Sequence, residues 1–208
     1  MSFKNLYNFT LNMKAAFTSF FTFLMVSIQA QTTMNEDLPY SIIPKAPTTY
    51  TAGSVVARMI DGLGFRYYWA TDGLTETDLQ YDPGNEGRSI RQTMTHLYGL
   101  SEMIVNSARK RPTDRTVELP ELTSEELRKA TLANLAEASA IFLKAEDLKE
   151  HPIIFKRGDR ESEFPFWNNI NGPIADAIWH AGQIVVLRRS AGNPINSKVN
   201  VFLGKLND

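Results

Sequence analysis

Two segments of this chain open on reciprocal helix starts, and these constrain its fold more than any other feature. Ser89-Ile-Arg-Gln92 and Thr123-Ser-Glu-Glu126 are capping boxes. In each, an N-cap hydroxyl takes the amide three residues on, while the Gln or Glu side chain reaches back to the cap. Behind the first box Ile90, Met94, Leu97, Leu100 and Ile104 keep the helical period, predicting a helix to about Ala108. Behind the second, Leu127, Leu132, Leu135, Ala138 and Phe142 carry a helix to about Ala145. Val56, Met59, Ile60, Leu63 and Tyr67 predict an earlier one over about Thr51 to Ala70. The last helix covers about Pro173 to Ala191 and stops at Gly192-Asn193-Pro194. Pro173 suits a first turn, and a start nearer Phe166 with a kink at Pro173 is the alternative.

The intervening segments are of two kinds. Thr71 to Gly87 is turn-rich, whereas Ile153-Ile-Phe155 and Glu161-Ser-Glu-Phe164 flank Lys156-Arg-Gly-Asp-Arg160 as a short hairpin would. The expected class is therefore all-α: a four-helix bundle with a long crossover connection and a short β-hairpin before the last helix. The domain spans residues 50–208. Residues 31–49, with Pro39, Pro44 and Pro47, form an extended lead-in.

Residues 1–30 have the pattern of a signal peptide. Lys4 and Lys14 precede an apolar run of 14 residues, Ala15 to Ile28, and no acid occurs before Glu36. The run is shorter than the about 20 residues a membrane span needs, but suits an h-region with cleavage after Ala30. The competing reading is an amphipathic or buried first helix. Export to the periplasm or exterior, without a stable membrane anchor, is the expectation. Removing these residues takes away two lysines and no acid, moving the formal charge from −1 to −3. Neither value, nor any basic stripe, suggests a nucleic-acid partner. There is no cysteine, hence neither a disulfide nor a protein thiol nucleophile.

Chemistry concentrates in the last helix, where Asp176, His180 and Gln183 stand at i, i+4 and i+7 on one face. Two metal-capable groups one turn apart can grip one ion. His96 lies on the helix behind the first capping box, among apolar residues, and could complete the set. An Asp and a His at this spacing also arise as a merely hydrogen-bonded face. Stranding ionisable groups in an apolar bundle is costly, however, and a shared cation would satisfy all three. His151, before Pro152, reads as a surface histidine, and Glu102 lies about 240° round the helix from His96. Trp167, Asn168, Asn169 and Asn171 could line a pocket mouth. Arg188 and Arg189 suit the negative end of the last helix's dipole.

His96-Leu on the second helix, the His180-x-Gly-Gln183 run on the last and the Tyr81-Asp-Pro-Gly84 lead-in together resemble the DinB-like, YfiT-type superfamily of four-helix bundles, over residues 50–192. That family's usual pattern is one His on helix two and a His-x3-His pair on helix four, binding a divalent metal. His96 matches the first and His180 the last, Gln183 matches the Gln that follows, and Asp176 stands where the other His is expected. The resemblance thus implies metal ligands His96, Asp176 and His180, with Gln183, Trp167, Asn169 and Asn171 around the pocket. A carboxylate would favour Mn or Fe more than three histidines do, leaving Zn and Ni open. It also implies a metal-dependent hydrolase or thiol transferase acting on a small-molecule substrate or ligand, with a homodimer open. The alternatives are a non-catalytic metal-binding bundle and a metal-free one that binds an apolar ligand or partner.

Overall fold

Four hydroxyl caps decide where the helices begin. The structure, a computed structural model, describes residues 38–208; residues 1–30, expected to be a signal peptide, and residues 31–37 of the lead-in lie outside them. Thr51 caps α1 (Ala52–Thr71), Thr75 caps the short α2 (Glu76–Leu79), Ser89 caps α3 (Ile90–Ala108) and Thr123 caps α4 (Ser124–Phe142). All four are reciprocal capping boxes, with Ser54, Asp78, Gln92 and Glu126 returning the bond. Thr71 to Gly87 is rich in turns, as expected, and α2 adds within it a single helical turn too short to show a period.

The strands β1 (Thr113–Asp114), β2 (Ile153–Arg157) and β3 (Arg160–Phe164) form a small sheet. β2 and β3 make the expected hairpin, turning at Gly158 with φ 62°, and β1 adds in parallel to β2. The molecule is therefore mainly helical rather than purely so. Beyond the hairpin comes one turn, α5 (Trp167–Asn169), then a π-helical segment Ile170–Ile174, then α6 (Ala175–Ser190). Pro173 lies within the π segment. It cannot donate a backbone hydrogen bond, and a wider turn accommodates that defect without ending the helix. The helix thus starts near Phe166 and is interrupted at Pro173. A second pair of short strands, β4 (Val199–Asn200) and β5 (Lys205–Leu206), closes the chain.

α1 packs on α4, α4 on α3, α3 on α6 and α6 on α1. Ile60, Leu63, Tyr67, Ile90, Met94, Leu97, Leu132, Leu135, Phe142 and Ile174 fill the space between them, all essentially buried. Residues 38–49 are irregular but anchored. Tyr40 is buried against Gly64, where a Cβ would collide with its ring, and its hydroxyl donates to Asp61 Oδ1 at 3.2 Å. Among the described residues no helix is long and apolar enough to cross a membrane.

Two helix ends, those of α1 and α3, also take donors from side chains distant in sequence. His151 is buried, 5% exposed, its ring edge-on to Phe142. Nδ1 lies 3.0 Å from the Ala108 carbonyl and 3.3 Å from that of Ser107. This corrects the surface assignment, because Nδ1–H serves the Ala108 carbonyl at the end of α3, beside that of Ser107, which also accepts from the Lys110 amide. Arg188 is also corrected. Its Nε and Nη2 do donate to Asn193 just past its own helix end, but Nη1 reaches across to the carbonyls of Trp69, Ala70 and Asp72 at the end of α1.

Candidate metal centre

α3 and α6 lie side by side, and the contact brings His96 to the Asp176/His180 face. One donor atom from each of His96, Asp176 and His180 lies within 4.8 Å of the other two, a cluster that could hold a metal ion. His96 Nε2 is 3.2 Å from Asp176 Oδ2, and His180 Nε2 is 3.3 Å from Asp176 Oδ1. The two imidazoles meet edge to face with centroids 4.5 Å apart. Donors bound tetrahedrally to one ion at about 2.1 Å sit about 3.4 Å from one another. Each imidazole stands at about that distance from the Asp176 carboxylate, His96 from Oδ2 and His180 from Oδ1.

The hydrogen bonds assign distinct roles to the two histidines. His180 Nδ1 is 2.7 Å from Gln183 Oε1, a carbonyl oxygen that can only accept. Nδ1 therefore carries the proton and Nε2 is left with a bare lone pair. Arg88 Nη1 lies 3.5 Å from the same Nε2, and a guanidinium can only donate, which agrees. In the neutral ring Nε2 thus faces Asp176 Oδ1 as one acceptor facing another, a contact that is repulsive unless a proton or a metal ion lies between them. His96 differs, because its Nε2–H can donate to Asp176 Oδ2.

Exposure grades across the site: the His180 side chain is 11% exposed, that of His96 31% and that of Asp176 36%. Burial holds the His96 pKa below the usual histidine value, the positive charge of Arg88 and the His180 ring add to that, and Asp176 opposes it. His96 is thus kept neutral, the form a metal needs. A folded-state pKa below the unfolded one means the unfolded chain binds more protons on acidification. The contribution is fully present above the unfolded value near 6.5 and is lost as pH falls toward the depressed folded value. Metal-free protein should therefore lose melting temperature between about pH 7 and pH 5, and His96→Gln should flatten that slope. Equal slopes for the two proteins would show that His96 does not titrate in this way.

The outer residues expected around the pocket are not all there. Gln183 is, through His180. Asn169 is completely buried and donates from Nδ2 to Ser107 Oγ, Asn171 is exposed, and Trp167 is 73% exposed. Trp167 lines a separate cavity of about 450 Å³ with Leu148 and Phe166. An uninterrupted α-helix would stack Asn169 over Asp176 at i, i+7, but the wider π turns rotate everything upstream of Ala175 off that face. Asn168 instead shares with Asp176 a pocket of about 280 Å³ that is otherwise lined mostly by apolar residues such as Leu100, Phe155 and Pro173. Arg88 is the site residue that sequence reasoning missed. It stands one residue before the Ser89 cap, and only the packing of α3 on α6 brings it to His180. Glu102 lies away from the triad, accepting from Asn134. No protein-family model, curated protein or solved structure matches this chain.

Proposed function

We propose that this protein is a metal-dependent enzyme of DinB-like four-helix-bundle type, exported and acting on a small molecule through His96, Asp176 and His180. The observation that carries it is the bare Nε2 of His180 set 3.3 Å from a carboxylate oxygen, with Gln183 holding the proton on the other nitrogen. Metal-ligating histidines commonly have this outer partner, which fixes the tautomer and orients the ring. Bound there, a divalent cation would supply Lewis acidity, drawing a coordinated water or substrate thiol toward its deprotonated form. His96 and His180 contribute neutral nitrogen donors and Asp176 one negative charge, a set of three that leaves coordination positions for substrate. The partial exposure of Asp176 and His96 gives a small molecule access from one side. The chain has no cysteine, so a thiol taking part would come from the substrate.

Elemental analysis tests the first step. Protein purified without chelator or histidine tag is expected to carry about one divalent ion per chain, and His180→Ala none. The same trace content in both would overturn the proposal. Export rests on the run from Ala15 to Ile28. An intact mass lacking about 30 residues, measured on protein from its native host, is the expected result, and recovery of the full-length chain would refute it.

A further inference from the structure

On the outer side of His180 the surface falls into a cleft of about 520 Å³, walled by Trp179, Gly182, Gln183 and Val186 of α6 and by Pro83 and Arg88 of the loop before α3. We infer that this cleft binds a small organic anion with a flat apolar body, its anionic group on Arg88 and its body against Trp179. The cleft holds the substrate of the adjacent centre, and in that respect the inference rests on the metal-dependent function proposed above.

The two ends of the cleft differ in chemistry. Trp179 and Val186, two turns apart on α6, are 71% and 58% exposed and together give the cleft an apolar wall. Gly182 lies between them on the same stripe, and a Cβ built there would meet nothing within 4 Å, so the cleft floor is open because this residue has no side chain. At the other end stands a cation. Among the described residues Arg88 has no carboxylate in ion-pair reach, and its one close partner is the uncharged Nε2 of His180 at 3.5 Å. That contact is the one an incoming metal would take over, because a cation on Nε2 repels a guanidinium and frees it for an anion. The loop that presents Arg88 is held in an unfavourable backbone. Gly84, Asn85 and Glu86 have φ of 72°, 51° and 60°, a left-handed run that a Glu seldom adopts. Such strain is often found where a side chain must be aimed. Size favours this cleft over the pocket beside Asp176, because organic ligands occupy about 300–1,000 Å³ and that pocket falls below the range.

The test compares two isosteric probes, 4-phenylbutyrate and 4-phenylbutan-1-ol, titrated calorimetrically into the full-length protein at low salt, with and without one equivalent of zinc. Wild type is expected to bind the carboxylate about tenfold more tightly than the alcohol, the strength of one charge-assisted contact. Arg88→Ala should bring the two within about twofold, and Arg88→Lys should retain part of the preference. Gly182→Leu fills the cleft and removes a helix-weakening glycine, so it should abolish binding of both probes while the melting temperature holds or rises. Zinc should raise carboxylate affinity several-fold by releasing Arg88, and the carboxylate should raise zinc affinity by the same factor. Equal affinity for the two probes, failure of either to saturate wild type, or a preference that survives Arg88→Ala would overturn the assignment. Metal content measured on the same samples separates the two proposals. An ion-free protein that keeps the Arg88-dependent preference refutes the metal but not the cleft, and a loaded protein without the preference does the reverse.

Discussion

Wild-type protein in zinc, nickel or manganese at about a hundred times its dissociation constant is expected to melt roughly 5–10 °C above the metal-free form. His180→Ala is expected to lose the whole of that gain. The size follows from mass action: only the folded chain assembles the three donors, so the ion stabilises by about 2.7 kcal/mol at that saturation. A chain of this length converts 1 kcal/mol into about 2–4 °C. Two further variants separate a metal centre from a hydrogen-bonded cluster. Gln183→Leu touches no ion, yet removes the group that keeps the proton on His180 Nδ1 at 2.7 Å. It should weaken binding about 10–100-fold. Asp176→His should retain binding and shift its preference toward zinc and nickel, because a softer nitrogen replaces a hard oxygen. If wild type and His180→Ala melt together with and without each ion, no ion is bound here, and the enzyme proposal falls with it.

How much of this was legible in the sequence depends on whether the information is local. Helix starts are made by a hydroxyl and the third residue after it, so the boxes at Ser89 and Thr123 could be read directly. Those at Thr51 and Thr75 were overlooked because Ser54 and Asp78, not Glu or Gln, return the bond. Helix ends follow a different logic here. The end of α1 is closed by Arg188 from far along the chain, and at α3 His151 adds a distant donor to the local turn made by left-handed Lys110, a conformation that a lysine does not announce. The same contrast governs the site. Asp176, His180 and Gln183 share a helix face by spacing alone, and His96 was placed opposite them because it sits among the apolar residues of a capped amphipathic helix, where an ionisable group needs a partner. Arg88 and Asn169 could not be placed in this way. The first depends on helix packing, and the second on a π segment whose only outward sign is Pro173.

Arg188→Met should be among the most damaging single changes in the molecule. The guanidinium is 3% exposed. Nη1 serves the Trp69, Ala70 and Asp72 carbonyls, while Nε and Nη2 hold the carbonyl and side-chain oxygens of Asn193. Methionine fills much of the same volume but donates nothing, leaving buried acceptors at the end of α1 without a partner. A buried acceptor left unpaired costs about 1–3 kcal/mol, so losing the donor to several of them costs about 3–5 kcal/mol, a large share of the 5–15 kcal/mol that holds a typical domain. The melting temperature should fall by about 6–20 °C. Arg188→Lys keeps the charge but not the fork, and one ammonium cannot reach five acceptors, so it should recover only part of the loss. Arg189→Met is the control: that residue is exposed, and its change should stay within about 0.5 kcal/mol. The consequence should extend to the site, since Arg188 lies eight residues beyond His180 on the helix it locks to α1. Metal affinity in Arg188→Met should therefore drop with stability although no ligand has been altered. If Arg188→Met and Arg189→Met melted alike, the carbonyls of α1 would have to be satisfied without Arg188, and its place in holding the last helix to the first would be lost.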